Sequence, residues 1–212
     1  MENSASKPLR YAAQFVSYIL HPLFIPTYFI LYLIQIIPYE FVGITDWQLK
    51  LKVFSVFWLT AFFPAFAVFL LWRLKFSNSI FLKTQKERVI PYVITMFFYW
   101  WMYYLSRTFS DQPLALKFFY FGIFIASSLG LIANNFLKVS LHAMAISGLL
   151  TAVILVSAYY PINNLIWVVI ATFLAAIVVS ARMVVSDHTK QELIIGFGIG
   201  ILTQVIAYFW VV

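Results

Sequence analysis

Long hydrophobic runs fill most of the chain, and short polar segments separate each run from the next. A helix that crosses a bilayer needs about 20 mostly apolar residues, and most of the runs are close to that length. The pattern predicts an all-α, polytopic transmembrane helix bundle with about six or seven spans, in a single domain covering 1–212. The predicted spans are 11–37, 53–72, 89–105, 114–132, 139–158, 165–185 and 192–212.

Proline and glycine mark irregular points in these spans. His21-Pro22 and Pro26 predict a kink in the first span, because proline removes a helical hydrogen bond that neighbouring groups must replace. His21, beside this proline, is interpreted as structural. Residues 39–52 are predicted to form a loop. Gly196, Gly198 and Gly200 predict close packing of the last helix against a neighbour.

Composition supports the membrane assignment. The chain is 64% hydrophobic and 10% charged, whereas soluble domains average about 25% charged residues. There is no cysteine, which excludes a thiolate metal site and a cysteine nucleophile. The net charge of +7 fits juxtamembrane Lys and Arg beside anionic lipid headgroups. Membrane lipids are therefore the predicted partners and nucleic acid is not, while the oligomeric state stays open.

Three polar clusters fall on the same side of the membrane when the spans are counted. They occupy residues 83–91, 138–142 and 180–192, and one outward and one returning span separate each cluster from the next. Most of the 14 Lys and Arg residues lie on this side, which the positive-inside rule predicts to be cytoplasmic.

The third cluster contains a histidine and a carboxylate at helical spacing. His188 and Glu192 are four residues apart, so a helix would place them on one face. A carboxylate fixes the tautomer of a neighbouring imidazole and raises its basicity. Backbone N–H groups at the start of a helix favour a bound anion.

The other residues of the clusters suit a phosphate ligand. Guanidinium and ammonium groups donate charge-assisted hydrogen bonds to phosphate oxygens, and His142 provides a second group for general acid catalysis. Together the clusters predict a phosphate pocket with one nucleophile or base and one acid. The predicted phosphate-binding residues are Lys83, Arg88, Lys138, Ser140 and Arg182, with Lys86 as an alternative to Lys83.

These clusters resemble the signature of the type 2 phosphatidic acid phosphatase superfamily, in a divergent bacterial form. The family pattern is Lys-x6-Arg-Pro, then Pro-Ser-Gly-His, then Ser-Arg-x5-His-x3-Asp. Arg182, His188 and Glu192 match the third element, with Glu in place of Asp, and Ser140-Leu141-His142 keeps the Ser-x-His core of the second. The first element departs most, since Arg88 precedes Pro91 by three positions.

The resemblance implies a lipid phosphatase core over about 53–212. His188 would attack phosphorus and form a phosphohistidine, Glu192 would orient it, and His142 would protonate the leaving oxygen. No metal or other cofactor is implied. The substrate would be a lipid phosphomonoester or diphosphate in phospholipid metabolism, at a bacterial inner membrane.

Two other classes of function stay open from the sequence. A lipid phosphotransferase would use the same chemistry with an acceptor other than water. A catalytically inactive relative or a transporter would use polar residues to line a solute path. A transporter would carry polar residues at mid-span, whereas the mid-span positions here are mostly apolar, which favours the enzyme.

Overall fold

A computed structural model describes residues 6–76, 84–109, 111–185 and 188–212. Within these ranges the backbone forms helices and no strand, which confirms the predicted all-α fold. The helices are α1 (Lys7–Ile19), α2 (Ile25–Ile36), α3 (Asp46–Phe57), α4 (Phe63–Arg73), α5 (Gln85–Thr108), α6 (Leu114–Asn134), α7 (Leu141–Tyr159), α8 (Leu165–Val185) and α9 (Lys190–Val211).

Six helical segments in these ranges are long and apolar enough to cross a membrane. Two of them join consecutive helices, α1 with α2 and α3 with α4, and the other four are α6, α7, α8 and α9. Helix α5 has 24 residues, but its Tyr and Trp side chains lower its mean hydropathy and it is not among the six. Large apolar side chains such as Phe173 and Phe209 are exposed on the outer surface. The protein is therefore an integral membrane helix bundle.

The first two spans are interrupted near their prolines. Between α1 and α2 the chain forms a short 3-10 helix, Pro22–Phe24, and His21 Nδ1 accepts a hydrogen bond from Leu23 N at 3.3 Å. This break confirms the predicted kink. Between α3 and α4 a π-helical segment, Trp58–Phe62, ends just before Pro64, because proline cannot donate the backbone hydrogen bond that an α-helix needs there.

The predicted loop over 39–52 is shorter than expected. Helix α3 already begins at Asp46, because Thr45 and Gln48 form a capping box in which each side chain bonds the other residue's backbone N–H. The sequence prediction placed the start of this span at residue 53. The hydrophilic side chains of the first turns suggest a loop, but the capping pair of Thr45 and Gln48 begins the helix before them.

Helix α9 lies between α6 and α7 and packs along both. A Cβ atom at Gly196 would lie 2.7 Å from Ser140 O, and a Cβ at Gly200 would overlap Ser147 Oγ. These two glycines allow α7 and α9 to approach closely, as predicted. Gly198 differs, because a Cβ there would have no atom within 4 Å.

Candidate functional site

Several helix ends meet at one face of the bundle. Asn134 Nδ2, at the end of α6, donates a hydrogen bond to Gln85 O in the first turn of α5 at 2.9 Å. Ser140 N, just before α7, donates to Glu192 O in the first turn of α9 at 3.3 Å. The polar clusters of the sequence therefore lie side by side, as the span count predicts.

The start of α9 holds His188 against Glu192. Thr189 and Glu192 form a capping box, with Thr189 N donating to Glu192 Oε2 at 2.9 Å. The same Oε2 atom lies 3.2 Å from His188 Nδ1. A carboxylate oxygen accepts, so Nδ1 carries the proton and Nε2 keeps a lone pair. The arrangement gives His188 the tautomer that a nucleophile needs.

Burial lowers the pKa of His188 below its ordinary value of 6.5. The hydrogen bond that His188 donates to Glu192 acts in the opposite direction and raises the pKa, while the positive charges of Arg88 and Arg182 lower it further. The balance is a lowered pKa, so the imidazole is neutral at pH 7. A neutral ring retains its free lone pair at Nε2 under physiological conditions.

Arg88 lies in the first turns of α5 and points towards α7. Thr84 and Glu87 form a capping box that begins α5 at Gln85, so Arg88 is part of the helix instead of the segment before it. Its Nη1 atom donates to Val139 O at 3.3 Å. Lys86, two residues earlier, is exposed and is not part of the cavity wall. The predicted ligand Lys83 lies outside the described residues.

A cavity of about 590 Å³ opens behind these helix ends. Three of the predicted cations line it: Arg88, Lys138 at the α6–α7 connection, and Arg182 in the last turn of α8. His188 and His142 line it as well, whereas its described lining contains no Asp or Glu. A partly buried cavity whose described wall carries several cations and no acidic side chain attracts a negatively charged group.

His142 is held at the broken first span. Its Nε2 atom lies 3.1 Å from Ser17 O and donates to that carbonyl, which leaves Nδ1 as an acceptor. The ring packs edge to face on His21, with 5.2 Å between ring centroids, and His21 also lines the cavity. His21 was interpreted from the sequence as structural, and it does cap the 3-10 helix. Its position beside His142 could not be inferred, since the two residues are 121 positions apart in the chain.

Ser140 has a different position from the one predicted. Its side chain is fully buried, and its Oγ accepts a hydrogen bond from Ala143 N at 3.4 Å as the N-cap of α7. It does not line the cavity. Glu192 is also outside the cavity wall and contacts the site through its hydrogen bond with His188.

Two polar residues absent from the predicted site are notable in the cavity wall. Tyr92 lies one turn after Arg88, and its buried hydroxyl has no hydrogen-bond partner among the described residues. The i,i+4 spacing from Arg88 was the available signal. Gln204 lies deep in the cavity on α9 and is fully buried. The cavity wall also includes residues of α1 and α2, which precede the expected core of 53–212.

Comparisons of the chain with family models, curated proteins and solved structures find no match in any of the three. Within the described ranges there is also no group of three His, Asp or Glu side chains that could hold a metal ion.

Proposed function

We propose that the protein is a membrane-embedded phosphatase that hydrolyses a lipid phosphomonoester or diphosphate. The observation that carries this proposal is the pairing of a neutral, carboxylate-oriented His188 with three cations around one cavity. Stabilisation of phosphoryl transfer comes mainly from positioning and from charge around the phosphoryl oxygens. The resemblance to the type 2 phosphatidic acid phosphatases points to the same reaction.

The reaction takes place in two steps. His188 Nε2 attacks phosphorus, a P–N bond forms, and the P–O bond to the lipid breaks with its electron pair on the leaving oxygen. A proton carried on His142 Nδ1, the ring atom that does not bond Ser17 O, passes to that oxygen. Water then attacks the phosphohistidine, its proton passes to His142, and the P–N bond breaks to release inorganic phosphate. Arg88, Lys138 and Arg182 bind the phosphoryl oxygens in both steps.

The proposed setting is the inner membrane of a bacterium, with the site at the cytoplasmic face. Arg73, Lys86, Lys138 and Lys190 lie at the helix ends on the same side as the cavity mouth, and basic residues accumulate on the cytoplasmic side of membrane proteins. The substrate headgroup lies at the membrane surface there, within reach of His188.

A second candidate is a protein that binds the same lipid phosphate and moves it without hydrolysis. Transporters bind their cargo beside interrupted helices, and the break at His21–Phe24 contributes His21 and Pro22 to the cavity wall. Buried Gln204 places a polar group far from the cavity mouth. A phosphotransferase differs from a hydrolase only in the acceptor.

The deciding experiment is phosphate release by the purified protein in detergent with EDTA present. The panel contains phosphatidic acid, phosphatidylglycerol phosphate, a polyprenyl diphosphate and a lipid A phosphate. Release from at least one of these lipids is expected. Movement of phosphate from the donor lipid to an added lipid alcohol, without release of inorganic phosphate, would identify a transferase. Binding with neither release nor transfer would favour the carrier.

The acid limb of the pH dependence of kcat/KM is expected to have its midpoint at low pH. As pH falls through the lowered pKa of His188, Nε2 becomes protonated and the nucleophile is lost. The midpoint of the acid limb of log kcat/KM is therefore expected below pH 6.5. In Glu192→Gln the carboxylate that raises this pKa is gone, so the midpoint is expected to move lower still.

Glutamine keeps the capping box with Thr189, so the comparison isolates the charge. Ionisation of the substrate, with a second phosphate pKa near about 6, affects both proteins equally and cancels in the difference. A midpoint above 6.5, or an upward shift in Glu192→Gln, would contradict the assignment of His188 as the titrating base.

A further inference from the structure

The cavity extends much deeper than a phosphate group requires. Arg88 lines its mouth and Tyr99 lines it eleven residues further along α5, which is about 16 Å at 1.5 Å per residue. That distance is roughly half of the hydrocarbon thickness of a bilayer. The cavity volume of about 590 Å³ is in the usual range for sites that hold drug-sized ligands. A phosphate group bound at the mouth would therefore fill only part of the cavity.

Below the cations the cavity wall is formed mainly by small or apolar residues. Ala126 and Ile123 contribute from α6, and Met144, Ala145 and Gly148 contribute from α7. Gly148 has room beside it, since a Cβ there would meet its nearest atom, Gln204 Cγ, at 3.8 Å. Thr95, Ser127 and Thr203 also line this part, but each hydroxyl bonds a carbonyl of its own helix. This part of the cavity is therefore suited to hydrocarbon.

The deep end of the cavity is bounded by Gln204. Its Nε2 atom donates to Phe119 O at 3.4 Å, which anchors the side chain to α6. Gly122 makes this position possible, because a Cβ there would lie 2.5 Å from the Gln204 amide. Gln204 is therefore fixed across the cavity floor by a hydrogen bond and by the absence of a neighbouring side chain.

We propose that the deep part of this cavity holds one aliphatic chain of the lipid phosphate, and that Gly148 and Gln204 set the longest chain accepted. This inference rests on the proposed function for the position of the headgroup. The cationic mouth, formed by Arg88, Lys138 and Arg182, fixes the phosphate at one end. The chain then extends along α5 and α7 towards the fixed floor.

Selection for length comes from the floor and not from hydrophobic attraction. A chain that leaves the bilayer for an apolar cavity exchanges one hydrocarbon environment for another, so each methylene gains little. A chain longer than the cavity must displace Gln204 or bend, and overpacking of this kind is costly. Binding is therefore expected to change little with length up to a limit and to fall sharply beyond it.

The test uses n-alkyl phosphonates of increasing length, whose C–P bond is not hydrolysed, with the protein in nanodiscs. Binding is measured by the ligand-dependent rise in Tm. In Gly148→Leu, the added carbons extend into the cavity, and affinity for the longest chain that the wild type accepts is expected to fall by about tenfold or more. Affinity for the shortest chain is expected to stay the same.

Gln204→Ala removes the floor and is expected to shift the limit in the opposite direction, towards longer chains. Gly198→Leu is the matched control, because Gly198 is exposed on α9 and a Cβ there meets no atom within 4 Å. The dependence of its affinity on chain length is expected to equal that of the wild type. If Gly148→Leu does not fold, Gly148→Met and Gln204→Ala carry the test, with folding checked by the Tm without ligand.

The outcomes separate the two proposals. If affinity depends on chain length in the same way in the wild type, Gly148→Leu and Gln204→Ala, the proposed chain pocket is wrong. It is also wrong if the wild type binds no phosphonate of any length. A shift of the limit in opposite directions supports it. If that shift is seen in a protein that releases no phosphate from any lipid, the chain pocket stands and the proposed hydrolase is wrong.

Discussion

Replacement of His188 by alanine is expected to abolish phosphate release, with a fall in kcat of about a thousandfold or more. The variant loses the atom that would form the P–N bond, and no other histidine has a carboxylate partner among the described residues. Loss of a nucleophile removes the whole covalent route and not a fraction of it. The measurement is phosphate release from the best lipid of the panel, with EDTA present.

A second measurement distinguishes loss of the catalytic step in His188→Ala from loss of its folded structure. Lipid labelled with ³²P should leave an acid-labile, alkali-stable label on the wild type and none on His188→Ala. The variant should still bind an alkyl phosphonate, because Arg88, Lys138 and Arg182 are unchanged. Lys190→Ala is the matched control, since Lys190 is exposed two residues away and should keep full activity. Label on His188→Ala, or equal turnover by both proteins, would remove His188 as the nucleophile.

Replacement of Arg88 by alanine is expected to lower kcat/KM by about 10² to 10³, the usual effect of losing one donor to a developing anion. Arg88 lines the cavity and is held towards the site by its hydrogen bond to Val139 O. Arg88→Lys should recover only part of the loss, because an ammonium group lacks the planar fork that binds two phosphate oxygens.

Lys86→Ala provides the matched control for Arg88. Both are cations in the first turns of α5, but Lys86 is exposed and outside the cavity. It should lose almost nothing in kcat/KM, while both variants reduce the total charge equally. Comparable losses in the two variants would show that general surface charge supports the activity and that Arg88 has no specific contact with the phosphate.

Hydrophobic pattern was sufficient to predict the fold class, because a span of about 20 apolar residues has few structural options in a bilayer. The positions of helix starts were less predictable. The capping boxes at Thr45 and Thr84 extend α3 and α5 into segments whose charges suggested loops. Local hydrogen bonds at a helix end outweighed the polarity of the side chains.

The site was only partly predictable. Spacing alone identified His188 with Glu192, although His188 precedes the N-cap Thr189 and is not part of a helical turn. The contact forms because the Glu192 side chain folds back in the capping box. The placement of Ser140 depends on a competition that sequence does not show, between capping α7 and facing the cavity. His21 and Gln204 enter the cavity through contacts between distant parts of the chain. Such contacts depend on how the helices pack and are not encoded in any short segment.

The position of α9 between α6 and α7 also has a consequence for biosynthesis. Helices α6 and α7 are consecutive in the chain, yet both pack on α9 more than on each other, and the ribosome makes α9 after them. The hairpin that they form enters the membrane with its central partner missing and cannot close on itself in the final arrangement. His188 and Gln204, at the mouth and floor of the cavity, are also made with this segment. The nascent chain therefore acquires its reactive centre only after α1 to α8 have been synthesised.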